Sequence, residues 1–138
     1  MRCLFDRSTS SGRLSAGGRP LSAAEKNLYR AYFPAELLDS VYVHEDRVPF
    51  WLRSDMNAVV LGRHVYFRPG VYVADSAPGV EILGHELVHV AQYAQGMTVW
   101  KYLLACRKGY ACNPYEVEAY AKAAQIRADF CAGHPFNA

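Results

Sequence analysis

Gly79-Val-Glu-Ile-Leu-Gly-His-Glu-Leu-Val-His-Val-Ala-Gln92 decides how the rest of this 138-residue chain is read. After Ser76 the hydropathy period changes from about two to about 3.6. Val80, Leu83, Leu87, Val90 and Ala94 then recur along one side of a helix, which Gly96 closes. Within that helix lies His85-Glu86-Leu87-Val88-His89, the HExxH pattern. Residues four apart project from one helical face about a turn apart, so both imidazoles can reach a single cation. Glu86 is displaced around the cylinder, toward the position that such a site leaves open. Ile82 and Gln92 share the histidine face, so one side packs and the other binds. The competing reading is a buried helix with two hydrogen-bonded histidines. A long, capped helix that is uncharged around the motif and preceded by a sheet favours the metal. Two imidazoles and a carboxylate suit zinc better than calcium or magnesium, so Zn²⁺ is the expected cofactor.

A catalytic zinc site usually takes three protein ligands and a water, so a third ligand has to come from elsewhere. Position 95 is Gln, which excludes the HExxHxxGxxH arrangement. The remaining source is a carboxylate on the next long helix, in Asn113-Pro-Tyr-Glu-Val-Glu-Ala-Tyr120. Glu116 and Glu118 differ by about 200° around a helix, so only one can face the metal. Glu116 is the expected ligand and Glu118 the reserve. A helix capped by Thr98 and ending near Gly109 lets the chain return antiparallel to the histidine helix. Glu116 has a competing role as partner of Asn113 in a capping box.

Outward from this core, the amino-terminal half reads as one helix and a small sheet. Ser22-Ala-Ala-Glu25 is a capping box opening a helix that carries Leu28, Tyr29, Tyr32 and Phe33 until Pro34. A turn through Leu37 and Leu38 leads to strand-like stretches at 41–44, 58–61 and 64–67. Gly62-Arg63 suits a tight type II′ hairpin, and residues 71–73 read as one more short strand. His64–Phe67 is the expected edge strand for an extended peptide. Residues 1–21 read as a flexible tail, since 7–20 are rich in Ser, Gly and Arg without apolar periodicity. Residues 22–138 form a single domain, because 138 residues leave little room for a second core. A formal charge of +2 is too small to mark a nucleic-acid partner, and no apolar run is long enough for a membrane span. The four cysteines follow neither a metal nor a scaffold spacing, although Cys106 and Cys112 flank one turn.

Phe67–Tyr72, Gly79–Gln92 and Asn113–Tyr120, in this order and spacing, resemble the small metallopeptidase-like domains of the bacterial contractile-injection-system core-domain family. The likeness spans roughly residues 40–122. It implies an α+β, minimal zincin-like fold of the gluzincin kind: an N-terminal helix, a small antiparallel-rich sheet, the HExxH helix and two further C-terminal helices. Glu116 matches the first Glu of the ExxAD-like pattern of related zinc peptidases, while Tyr120 stands where many of them place an Asp that orients a zinc-bound histidine. The implied activity is zinc-dependent peptide-bond hydrolysis. Glu86 is then the general base, His85, His89 and Glu116 hold the metal, and a peptide or protein is the substrate. Tyr110, Tyr115, Tyr120 and His134 are the candidate donors to the carbonyl oxygen. The alternative is a zinc-stabilised binding module or secreted effector, with a secretion-system or toxin partner. With no apolar signal block in the first thirty residues, the cytoplasm is the default location, and export without a conventional signal peptide is the alternative.

Overall fold

A computed structural model of the chain describes residues 17–133. The first sixteen residues of the tail expected over 1–21, which include Cys3, and His134 lie outside the described residues. Paired structure begins earlier than the expected tail boundary at residue 21. Arg19–Pro20 (β1) pairs antiparallel with Tyr42–His44 (β2), and Leu21 is buried. The reason is long-range charge. The Arg19 guanidinium forks onto Glu25 at 2.8 and 3.0 Å and reaches Glu45 at 2.6 Å, which local composition does not reveal.

Helix α1 spans Ala23–Tyr29 and starts with the expected capping box: Ser22 Oγ accepts from the Glu25 amide while the Glu25 carboxylate accepts from the Ser22 amide. It stops at Tyr29, four residues short of Phe33. The segment expected to turn through Leu37 and Leu38 is a second helix, α2 (Ala35–Ser40), with Pro34 at its N-cap. Pro34 disfavours helical geometry in Phe33, while its own fixed φ suits the residue that begins a helix. Leu38 then enters the core.

The hairpin forms as read, with strands β3 (Ala58–Leu61) and β4 (His64–Phe67) joined through Gly62 at φ +66°, which a side chain disfavours. The sheet order is β1-β2-β4-β3, with β2 and β4 parallel and the other pairs antiparallel. Thus β4 is interior and β3 is the edge, which corrects the expectation for His64–Phe67. The register places Val43, Val60, Val65 and Phe67 on one buried face. Tyr42, His44, His64 and Tyr66 share the other face, where His44 stacks on Tyr66 with ring centroids 4.2 Å apart. Residues 71–73 form no strand. Tyr72 is drawn inward, stacking on Phe67 and donating to Glu25 at 2.6 Å, and the Val73 carbonyl accepts from Ser76 at the next helix start.

Ser76 caps α3 (Ala77–Ala94), whose Val80, Leu83, Leu87 and Val90 are buried against the sheet and α1, while Ala94 is exposed. The buried Tyr29 hydroxyl donates to the Val80 carbonyl at 2.8 Å and ties α1 to α3. Thr98 caps α4 (Val99–Ala105), two 3₁₀ turns follow over Cys106–Lys108 and Tyr110–Cys112, and α5 runs from Pro114 to Gly133. Helix α5 packs on α3 through Ala119, Ala123 and Ile126. Gly84 permits this approach, because a Cβ there would lie 3.1 Å from the Ile126 side chain. The fold is therefore α+β, and its tightest helix pair, α3 with α5, is the one that brings His85 and His89 together with Glu116.

Candidate metal centre

His85 and His89 point from one face of α3 toward the first turn of α5. Their Nε2 atoms lie 3.1 and 3.2 Å from the two carboxylate oxygens of Glu116. The three potential ligand atoms fall within 4.8 Å of one another, and all three residues are buried. This group could hold a metal ion. Its donor set of two imidazole nitrogens and one carboxylate is that of open catalytic zinc sites, so the residues present fit the expected ion. Glu118 faces elsewhere, as two residues of helical rotation require. Nor does Glu116 complete a capping box: Asn113 Oδ1 accepts from the Tyr115 amide at 2.9 Å, and the Glu116 carboxylate goes to the histidines.

The groups around the histidines supply what Tyr120 cannot. His89 Nδ1 lies 2.8 Å from Gln92 Oε1, and Gln92 Nε2 donates to Glu118 at 2.7 Å and to the Tyr115 carbonyl at 2.9 Å. Those two bonds set the Gln92 amide, so its oxygen faces His89 and accepts the Nδ1 proton. That leaves Nε2 free for a metal. Glu118, the reserve ligand, thus acts through Gln92. Tyr120 packs its ring edge-on to His85 at 4.5 Å. Tyr102 and Tyr110 donate to the two Glu116 oxygens at 2.6 and 2.9 Å. Tyr102 had no sequence signal, because nothing in the α4 pattern distinguishes it from the other apolar and aromatic residues. Gln92 had a weak one in its place on the histidine face. Of the nominated donors, Tyr110 and Tyr120 border the site and Tyr115 contributes its backbone carbonyl.

The family profile of the eCIS core domain matches residues 20–97. That is more than half of the chain and takes in β2, β3 and β4 and the whole HExxH helix. The chain belongs to the eCIS core domain family. No curated protein and no solved structure matches it. The matched segment of this eCIS core domain protein ends before α4, so Glu116, Tyr102 and Tyr110 lie outside the match.

Electrostatics in the eCIS core domain site follow from burial and proximity. Glu86 is buried, and loss of hydration pushes its carboxyl up from the ordinary range, against the pull of His85 and His89. Burial acts the same way on Glu116, but hydrogen bonds from His85, His89 and Tyr102 hold it well below the usual carboxylate range. His89 is raised: burial opposes its charge, and Glu116 and Glu86 more than offset that. Two cavities meet at His85 and Glu86. One of about 650 Å³ has Arg53, Asp55 and Glu81 in its walls. The other, of about 300 Å³, runs between β3 and α4. Among the described residues, no helix is long and apolar enough to cross a membrane.

Proposed function

We propose that this eCIS core domain protein is a zinc-dependent peptide hydrolase acting in association with a contractile injection system. The observation that carries the reading is the position of Glu86. It is not among the clustered ligand atoms, it lies on the same helix beside His85, and it borders both cavities. A structural metal site needs ligands but no such base. Zinc bound by His85, His89 and Glu116 would polarise a carbonyl and lower the pKa of a water toward 7. Glu86, whose proton affinity is raised by burial, takes a proton from the attacking water and returns it to the leaving amine. Gln92 and Glu118 keep His89 oriented, and Tyr102 and Tyr110 hold the Glu116 carboxylate. The edge strand β3 offers backbone groups to an extended peptide alongside Glu86. A second reading, a zinc-stabilised binding module, is favoured by the exposed apolar face of α4.

The two readings part at Glu86→Gln. In a hydrolase this variant keeps its zinc and its melting temperature and loses about 10²- to 10⁴-fold in peptide cleavage. Metal analysis, thermal melting and a peptide-library assay on one preparation decide it. If the zinc-loaded wild type cleaves nothing, or the variant cleaves as well, the hydrolase reading fails and the binding module replaces it.

A further inference from the structure

We infer that the smaller cavity is the seat for one bulky apolar side chain of an extended polypeptide, and that it sets which peptides the site accepts. The inference deepens the hydrolase reading and rests on it for the placement of the peptide beside Glu86. Three observations carry it. First, β3 is an edge of the sheet among the described residues. Leu61 and His64 close the two-residue turn as a hydrogen-bonded pair, so strand alternation turns the backbone groups of Val60 and Ala58 away from β4. The Tyr93 hydroxyl reaches the Val60 carbonyl from that outer side at 3.3 Å. An added strand would therefore lie along β3, next to Glu86.

Second, the two cavities differ in chemistry on either side of the same residues. Both contain Arg53, Met56, Ala58, His85, Glu86 and Tyr110. One extends past Asp55 and Glu81, and the other past Val60, Tyr93, Met97 and Leu103. A peptide crossing Glu86 thus meets a polar, open side and an apolar recess of about 300 Å³. A recess of that size, mostly apolar in its walls, takes an aromatic or branched side chain, and the Arg53 guanidinium that also lines it is already forked onto Asp55 at 3.1 and 2.8 Å. Third, the recess continues into an apolar rim. Trp51 on the loop before β3 and Val99 and Leu103 on α4 are exposed by 56%, 52% and 53% while also lining it. Side chains that are simultaneously wall and surface are what an entering apolar group would cover.

The test uses full-length Glu86→Gln protein loaded with zinc and two capped peptides, acetyl-Ala-Ala-Phe-Ala-Ala-amide and its Ser counterpart, with affinity read by calorimetry. The Phe peptide is expected to bind about ten-fold tighter or more. Leu103→Asp places a charge in the wall at an already exposed position and should remove most of that preference. Leu104→Asp, equally exposed but outside the recess, should leave it within about two-fold. Equal affinity for the two peptides overturns the inference even if Leu103→Asp fails to fold, and so does an equal loss in both Asp variants. A concentration-dependent dimer that Leu103→Asp dissolves and the Phe peptide does not displace would assign the face to a second copy, again overturning it. Failure here is distinct from failure of the hydrolase reading. Cleavage without apolar preference sinks this inference alone, whereas selective Phe binding without cleavage by wild type sinks the hydrolase.

Discussion

Helices α3 and α4 both show apolar residues at helical spacing behind a hydroxyl cap, and the structure treats them oppositely. In α3 the stripe of Val80, Leu83, Leu87 and Val90 is buried, and eleven residues of the helix as a whole lose nearly all contact with solvent. In α4 no residue is buried, and Val99, Trp100, Leu103 and Leu104 are all exposed by more than half. The difference is what each helix finds opposite it. Helix α3 lies between the sheet and α5, whereas α4 belongs to a bridge over residues 98–113 that passes over the site. Its inward ties are polar: Tyr102 to Glu116, and Asn113 to the Tyr102 carbonyl and Cys106 Sγ. Apolar periodicity therefore specifies a face but not a partner for it. One element is scaffold, and the other shapes the site.

This contrast can be broken by experiment, beginning with the largest effect. Leu87→Ala in α3 should cost about 2 to 5 kcal/mol in denaturant unfolding, since it empties space at the centre of the core. A loss below about 1 kcal/mol would mean that α3 is not the scaffold it resembles.

Acid should loosen the scaffold from its amino-terminal side. Burial raises the proton affinity of the Glu25 carboxyl, but Arg19, Tyr72 and the Ser22 amide hold it at about 2, below its ordinary 4.5. A depressed carboxyl stabilises the fold fully above its unfolded value and loses that contribution as pH falls toward the folded one. The window is pH 4.5 to 2, and the contribution is up to about 3 kcal/mol. His44 acts earlier. Burial first, then the charge of Arg47 and the neighbouring His64, lower it from 6.5 to about 4 against the pull of Asp46. A base depressed in this way also destabilises the fold as pH drops, here between 6.5 and 4. Melting temperatures of wild type and Glu25→Gln across pH 7 to 2 check this. If the two curves run parallel through pH 4.5 to 2, the Arg19–Glu25 clamp contributes nothing.

The bridge should behave in the opposite manner. Tyr102→Phe removes one hydroxyl from Glu116 and should weaken zinc affinity by about ten- to a hundred-fold in competition with a chromogenic chelator, with little change in metal-free stability. Unchanged zinc affinity would reduce Tyr102 to a bystander. Smallest of all, Leu104→Ala should alter unfolding by about 0.5 kcal/mol or less, despite the same residue type as Leu87. A loss comparable to Leu87→Ala would show that the α4 face is covered in solution.

Most of the α3 region was legible because its signals are local: the Ser76 cap, the 3.6 period and the four-residue spacing of His85 and His89. The same holds for the hairpin at Gly62-Arg63 and for Ser22-Glu25. Helical angle made legible that only one of Glu116 and Glu118 could face the histidines, once a helix opening at Pro114 was granted; which of the two does so depends on how α5 meets α3. The sites that escaped depend on partners far along the chain. Arg19 was read into a tail because Glu45 and Glu25 cannot be seen from its neighbours. Residues 71–73 were read as strand because the pull of Glu25 on Tyr72 acts over 47 positions. The edge was assigned to His64–Phe67 because nothing local tells which strand of a hairpin a third one will join.

By itself the sequence determined the elements that cap and period encode, together with a helix bearing His85, Glu86 and His89 on a face distinct from its packing stripe. These are properties of residues within one or two helical turns, where backbone geometry alone places side chains relative to each other. Only the tertiary structure decided that Glu116 meets both histidines, that Glu118 reaches His89 through Gln92, and that Tyr102 and Tyr110 close on Glu116. It also decided that the α4 stripe stays exposed beside a recess next to Glu86. The physical reason is the same throughout: hydrogen bonds and buried contacts between segments depend on how α5 approaches α3. That approach is set by packing at Gly84 and Ile126, not by the local pattern of either helix.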